Sequence, residues 1–199
     1  TYGLRFTMAD VLGSGFKVDA MYTTDVGSGD AQADNGTSGE LGGTSGDGTE
    51  IAITGSVPMV EGLDVGVGVY EQETDSVSGA GTYHADEGTA YIKYSTGPVS
   101  VGYQKGVVVN SAGSEETQYV NDYIGISYKI SDDLSISYNE IESRKSNNST
   151  DIDQDFDSIS LSYSMGGMTL NIADSDVSNS AYNVGRGVDA TSVSLAIAF

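Results

Sequence analysis

The clearest group of possible metal ligands is a run of aspartates at alternate positions: Asp151, Asp153, Asp155 and Asp157. Alternating carboxylates resemble the start of an EF-hand calcium loop. That loop requires glycine at its sixth position and glutamate at its twelfth, where this chain has Phe156 and Ser162. We therefore reject an EF-hand and expect no dedicated metal site and no cofactor. Loose binding of divalent cations such as calcium by the acidic segments is the remaining option.

Groups suited to catalysis are scarce in this chain. His84 is the only histidine, and it lies beside Asp86 and Glu87 in a segment that we interpret as a loop. A Ser–His–Asp site needs an imidazole held in place by an oriented carboxylate. The absence of cysteine excludes thiol catalysis, zinc–thiolate sites and disulfide scaffolds. We therefore expect that the protein is not an enzyme.

The composition favours strands and turns over helices. The 199 residues include 27 glycines and only 2 prolines, and tyrosine, threonine, valine and serine recur throughout. No segment has the roughly eighteen apolar residues in succession that a transmembrane helix needs. A transmembrane β-strand needs only about ten residues, half of which can be polar.

Apolar and polar side chains alternate with a period of two along the whole chain, which is the signal of a strand with two different faces. In one such run, Val65, Val67 and Val69 alternate with Gly66 and Gly68. The pattern predicts eleven strands, near residues 1–8, 15–23, 49–57, 63–71, 88–95, 99–109, 122–130, 134–142, 156–165, 168–174 and 190–199.

The connections between these strands alternate in length. The short ones contain turn-forming residues such as Gly166-Gly167 and cover residues 9–14, 58–62, 96–98, 131–133 and 166–167. The long ones cover residues 24–48, 72–87, 110–121, 143–155 and 175–189. An up-and-down transmembrane β-barrel has this asymmetry, because its short turns face the periplasm and its long loops face outside.

The negative charge follows the same division. The net charge is −21, and of 29 acidic residues 23 fall in windows that overlap the long connections: 25–50, 71–87, 115–122, 140–157 and 174–189. Such a charge makes nucleic acid a poor partner. A solvated acidic surface is the simplest alternative explanation.

Aromatic residues add a second regularity near the short-turn ends of the strands. On the apolar face these are Tyr94, Tyr128, Tyr163 and Phe199. A girdle of aromatic side chains at one membrane interface would place them there, although the strand propensity of tyrosine is an alternative cause. We predict an all-β, antiparallel, up-and-down transmembrane β-barrel in the outer membrane of a Gram-negative bacterium.

The strand count adds an expectation about the whole barrel. Single-chain bacterial barrels have an even number of strands. Eleven strands that end at the periplasmic side would begin outside, so we expect residues 1–199 to form one β-barrel domain that lacks its N-terminal strands.

The last strand, Val193-Ser194-Leu195-Ala196-Ile197-Ala198-Phe199, resembles the terminal strand of Gram-negative porins, which ends in a phenylalanine. Residues 128–138 also resemble a porin strand–turn–strand unit. The resemblance to general diffusion porins implies a sixteen-stranded, trimeric barrel around a water-filled pore. It places the missing strands, and the inward-folded loop that narrows the pore, before Thr1.

The alternation assigns polar side chains to the lumen. The predicted pore-lining residues are Arg5, Lys17, Asp19, Asp64, Tyr91, Lys93, Gln104, Tyr123, Lys129 and Asn139. Arg5 and Asp19 should lie nearly opposite each other across the first hairpin. They would form either a salt bridge on the wall or, through Arg5, half of a pore constriction.

We interpret the chain as a porin for passive diffusion of ions and small hydrophilic solutes, with a weak preference for cations because of its acidic loops. Its expected partners are outer-membrane lipid, lipopolysaccharide and two further copies in a homotrimer. A non-channel barrel that binds or adheres through its long acidic loops is the main alternative. An outer-membrane enzyme that uses His84, and a soluble β-protein with calcium-bound loops, are the others.

Overall fold

The computed structural model describes residues 3–24, 43–76, 83–112 and 115–197. In these ranges the chain forms strands and two short 3₁₀ turns, Val11–Gly13 and Ser180–Tyr182. No helix in the described ranges is long and apolar enough to cross a membrane.

Within these ranges eleven strands form one continuous antiparallel sheet, in which every strand pairs with its neighbours in sequence. Their bounds are β1 Gly3–Met8, β2 Phe16–Thr24, β3 Gly43–Ser56, β4 Leu63–Ser76, β5 Tyr83–Thr96, β6 Val99–Ala112, β7 Glu115–Lys129, β8 Leu134–Asn147, β9 Asp151–Met165, β10 Met168–Ser178 and β11 Val188–Ile197. The predicted number of strands and the up-and-down topology are confirmed.

Tight turns join the strands at the end that the sequence assigned to the periplasm. Gly97-Pro98 joins β5 to β6, and Gly166-Gly167 joins β9 to β10. Gly97, Gly166 and Gly167 have φ values of 53°, 56° and 85°. Two-residue hairpins need this left-handed backbone to match the twist of their strands, and glycine adopts it without steric cost.

The strands extend further than predicted at the opposite end. β8 ends at Asn147 and β9 begins at Asp151, so only residues 148–150 lie between them. The sequence predicted a thirteen-residue connection over 143–155. Backbone hydrogen bonds hold these extensions together although both of their faces carry polar side chains. Without apolar alternation the sequence gives no strand signal there.

The two faces of the sheet differ in chemistry. The outer face carries exposed apolar side chains such as Ile51, Ile124 and Leu195. The inner face carries polar side chains, including Gln72 and Asn121, each 1% exposed. In the described chain only Ala85 and Val108 are buried hydrophobic residues, so this fold has no conventional apolar core.

The outer face also carries the predicted aromatic girdle. Tyr94, Tyr128 and Tyr163 are exposed and sit beside apolar neighbours near the tight turns. Phe199, the fourth member, lies outside the described residues. An apolar band bordered by aromatic side chains is what a barrel presents to lipid.

Candidate functional site

The inner face is the candidate site, and the strand register brings all ten predicted pore-lining residues onto it. Asp64 lies opposite Lys93, Tyr91 opposite Gln104, and Gly125 opposite Asn139. Their role in lining a pore stays a prediction.

An ion-pair network holds the first hairpin on this face. The Nη2 atom of Arg5 lies 3.2 Å from Oδ1 of Asp19, and Nζ of Lys17 lies 2.6 Å from Oδ2 of Asp19. The hydroxyl of Thr7 donates a hydrogen bond of 2.6 Å to the same carboxylate. The structure therefore gives the predicted salt bridge on the wall, with Arg5 more exposed than its partner.

Lys129 marks the tight-turn end of the inner face. Its Nζ atom lies 2.8 Å from Oδ1 of Asp132, in the turn between β7 and β8. The hydrogen bond from Lys129 lowers the pKa of the Asp132 carboxyl below its usual value. Because both groups are largely exposed to water, this pair fixes a local turn and adds little stability.

A row of large side chains crosses the middle of the inner face. We call it the aromatic row, and consecutive members lie directly opposite each other on β5 to β9: Tyr91, Gln104, Tyr123, Ile141 and Phe156. The ring of Tyr91 lies against the backbone of Gly66. A β-carbon on that glycine would be only 2.2 Å from Cε1 of the ring.

Two further rows follow towards the tight turns. The glycine row contains Lys93, Gly102, Gly125 and Asn139, and the serine row contains Ser95, Ser100, Ser127, Ser137 and Ser160. The paired glycines leave a gap between the large side chains on one side and the hydroxyls on the other. The resulting groove has a volume of about 570 Å³.

The connection between β10 and β11, residues 179–187, lies against the inner face. The ring of Tyr182 lies 5.5 Å from the ring of Tyr119, and Nζ of Lys145 lies 5.7 Å from both ring centres. The Tyr182 hydroxyl lies 2.7 Å from Oγ of Ser143, and the Ser143 hydroxyl donates a hydrogen bond to Oδ1 of Asn121. We call this connection the inner strap.

The inner strap has an unfavourable backbone conformation. Asn179, Ala181 and Tyr182 have φ values of 49°, 56° and 55°, a region that costs a residue other than glycine about 1–3 kcal/mol. Gln154 offsets part of this cost because its Oε1 accepts a 2.8 Å hydrogen bond from the Ala181 amide. Such strain persists only where surrounding contacts fix the conformation.

The position of the strap corrects a sequence prediction. Residues 175–189 were expected to form a long outer loop, but β10 and β11 take up both ends and the remainder packs inward. The sequence shows turn-forming Asn179, Asn183 and Gly185, but nothing in it indicates the direction of folding. Contact with Tyr119 and Ser143, which lie about 40–60 residues earlier in the chain, decides that direction.

Docking of the strap should depend on pH. Burial raises the pKa of the Tyr182 phenol above its ordinary value of 10.0. A raised pKa means that the stabilisation is complete below about pH 10 and is lost as the pH rises through the folded-state value. We expect Tyr182→Phe to remove one late-titrating phenol from the ultraviolet difference spectrum. A phenol that titrates at its ordinary pKa in the folded protein would contradict the burial.

The acidic side chains of the strands lie mainly on the outer face, beyond the apolar band. Asp153 pairs with Arg144 at 2.7 Å, Asp155 accepts a hydrogen bond from Ser178, and Asp157 accepts one from Tyr138. Asp151, Asp153, Asp155 and Asp157 follow one strand instead of converging. Within the described ranges no group of three or more histidine, aspartate or glutamate side chains is arranged to hold a metal ion.

His84 also differs from its prediction, because it lies within β5 and not in a loop. Its Nδ1 atom is 3.9 Å from Oε2 of Glu73 on the neighbouring strand. That distance is too long for a hydrogen bond that would orient a catalytic imidazole.

The sheet order, the exposed apolar outer face and the polar inner face define a β-barrel protein of the outer membrane. Solved structures of outer membrane proteins have a similar fold. A loop L8 deletion mutant of OmpT, an outer membrane protein of Vibrio cholerae, is similar over 97% of this chain with a TM-score of 0.71 and 11% identity. OmpT folded in vitro matches 97% of the chain with a TM-score of 0.68 and 12% identity. Outer-membrane expressed OmpT matches 95%, with a TM-score of 0.64 and 13% identity.

The chain spans about three fifths of the length of these structures, namely 61%, 60% and 61%. Identity at this level shows the fold alone, and the predicted outer-membrane location agrees with it. No protein-family model and no curated protein matches the chain.

The prediction that the protein is not an enzyme requires correction. That exclusion rested on a single histidine and on missing cysteine. The matching structures show an outer-membrane barrel, and one fold can carry unrelated functions, catalysis among them. The fold therefore overturns the exclusion.

Proposed function

We propose that the protein is a porin, whose barrel encloses a water-filled channel for passive diffusion of ions and small hydrophilic solutes. The composition of the inner face carries this proposal. Serines, glycines and charged residues face the interior, where a closed, dry barrel would need packed apolar side chains.

Charge on the inner face is nearly balanced. Among the side chains that the structure describes, the basic ones on this face are Arg5, Lys17, Lys93, Lys129 and Lys145, and the acidic ones are Asp19, Glu50, Asp64 and Glu87. The excess carboxylates lie on the outer face and in the connections. We therefore expect only a weak cation preference, produced by the field at the channel mouth.

Conductance across a planar lipid bilayer tests the proposal, with protein extracted from outer membranes in detergent. We expect stable steps that close in groups of three if the channel is a homotrimer, and a small reversal potential of cation-selective sign in a salt gradient. Folded protein that gives no conductance would contradict the porin function. That result would favour the alternative of a non-channel barrel that binds or adheres through its long acidic loops.

Lipopolysaccharide is the partner that the proposal assigns to the outer face. Its anionic phosphates would meet the carboxylates of β8 to β11 through bridging divalent cations, while its acyl chains would cover the apolar band. Removal of divalent cations with a chelator should then release lipopolysaccharide from the purified protein.

A further inference from the structure

The groove between the aromatic and serine rows carries an inference that rests on the proposed function. We propose that it is a binding site for a neutral saccharide in the channel. Its first wall consists of Tyr91, Tyr123 and Phe156. Aromatic faces carry partial negative charge and attract the C–H groups on the flat face of a sugar ring.

The floor of the groove determines which shape of ligand fits. Gly102 and Gly125 lie directly opposite each other, and the amide oxygen of Asn139 is the side-chain atom that reaches towards them, 3.0 Å from where a β-carbon on Gly125 would be. Three inter-strand steps separate β5 from β8, which corresponds to about 14 Å. A short, flat and elongated molecule fits such a floor better than a compact one.

The second wall offers hydrogen bonds. Ser100, Ser127 and Ser137 line this wall. Oγ of Ser137 lies 2.7 Å from Oγ of Ser160, and Oγ of Ser100 lies 2.8 Å from Oγ of Ser95. A hydroxyl can donate once and accept twice, so each pair retains capacity for ligand hydroxyls. Gln104 donates one N–H to Thr89 at 3.1 Å, which leaves its carbonyl oxygen and second N–H for other partners.

The charge around the groove favours a neutral ligand. Lys93 is its charged inner-face residue, and Asp64 lies directly opposite on β4. The opposite charges of Lys93 and Asp64 on these paired strands offset each other, so an anionic ligand gains little electrostatic stabilisation from Lys93. An uncharged ligand with apolar faces and a polar rim fits the two unlike walls, and a saccharide has this chemistry.

Calorimetric titration of the purified protein with maltotriose and cellotriose tests the site without relying on conduction. We expect dissociation constants on the order of millimolar, with no heat from a polyethylene glycol of matched size and weaker binding of a trimer of galacturonate. Each sugar should also reduce the current through open channels.

A matched pair of variants tests the location. Gly102→Leu fills the floor, and its β-carbon meets no atom closer than 3.7 Å, so the sheet can accept it. Gly88→Leu places the same side chain on the outer face between Val69 and Val107, where a β-carbon meets nothing within 4 Å. We expect Gly102→Leu to abolish sugar binding and Gly88→Leu to preserve it. Tyr123→Leu should weaken binding about five- to tenfold.

The outcomes separate the two proposals. Conducting channels that show neither heat nor current reduction with either sugar would overturn the saccharide site and leave the porin function standing. Equal binding by Gly102→Leu, or tighter binding of the galacturonate trimer, would also overturn it. Sugar binding by protein that does not conduct would support the site and contradict the channel.

Discussion

Arginine in place of Ile126 is expected to lower the free energy of unfolding by about 1–3 kcal/mol, between the cost of a cationic side chain at the bilayer midplane and its smaller cost near the interface. Ile126 is exposed on the outer face, between Val101 and Tyr138 on the neighbouring strands. It lies within the apolar band, two residues from the girdle residue Tyr128. Urea unfolding of protein folded into lipid vesicles measures the change.

Ser127→Arg is the matched control, because it places the same side chain one residue further on and therefore on the opposite face. Ser127 lies among hydroxyls on the inner face. We expect a loss of less than about 1 kcal/mol, since an arginine on a hydrated face stays solvated. The added charge should also shift the reversal potential towards anions. Similar losses for both variants would contradict the assignment of the two faces.

Replacement of Ser178 and the inner strap, residues 178–187, by Asn-Gly is expected to raise single-channel conductance by about twofold, because the groups that line and narrow a pore control its conduction. Val177 pairs with Val188 at the base of the strap, so a two-residue turn can join the strands there. Removal of the strap also eliminates three strained residues, and we expect no loss of folding.

Replacement of residues 147–150 by the same turn provides the control, because Ser146 pairs with Asp151 at the end of this hairpin. This connection joins β8 to β9 at the same end of the sheet, and the hydrogen bonds of Ser149 and Thr150 run to Asn147 on the same hairpin. The conductance of this control variant should equal that of the unmodified protein. A strap deletion that leaves conductance unchanged would show that residues 179–187 do not narrow the channel.

The sequence predicted the sheet well because one rule of alternation governs every strand. Apolar residues such as Val67 and Ile126 recur at alternate positions on one face, with the Lys105–Asp122 ion pair as an interruption. The number of strands and the face of each residue follow from this alternation. The assignment of Arg5, Asp19 and Asn139 to the face opposite the apolar one follows from the same alternation. No long-range information is needed for these features.

Other features depend on contacts that the sequence does not reveal. The far ends of β8 and β9 carry charged or polar residues on both faces, as at Arg144 and Lys145, so alternation disappears although the hydrogen-bonded ladder continues. The groove needs Gly102 and Gly125 to be aligned across two strands. The inner strap depends on the contact between Tyr182 and Ser143, which lie 39 residues apart in the chain.

Rows of carboxylates at the far ends of β9 to β11 make the two ends of the sheet respond differently to ionic strength. Asp157, Asp176 and Asp189 lie directly opposite one another on three adjacent strands, and like charges in such positions repel. Salt at about 0.1 M confines this repulsion to about 10 Å, whereas dilute solution extends its reach. The carboxylate end should therefore fray first in dilute solution, while the hairpins closed by glycine stay paired.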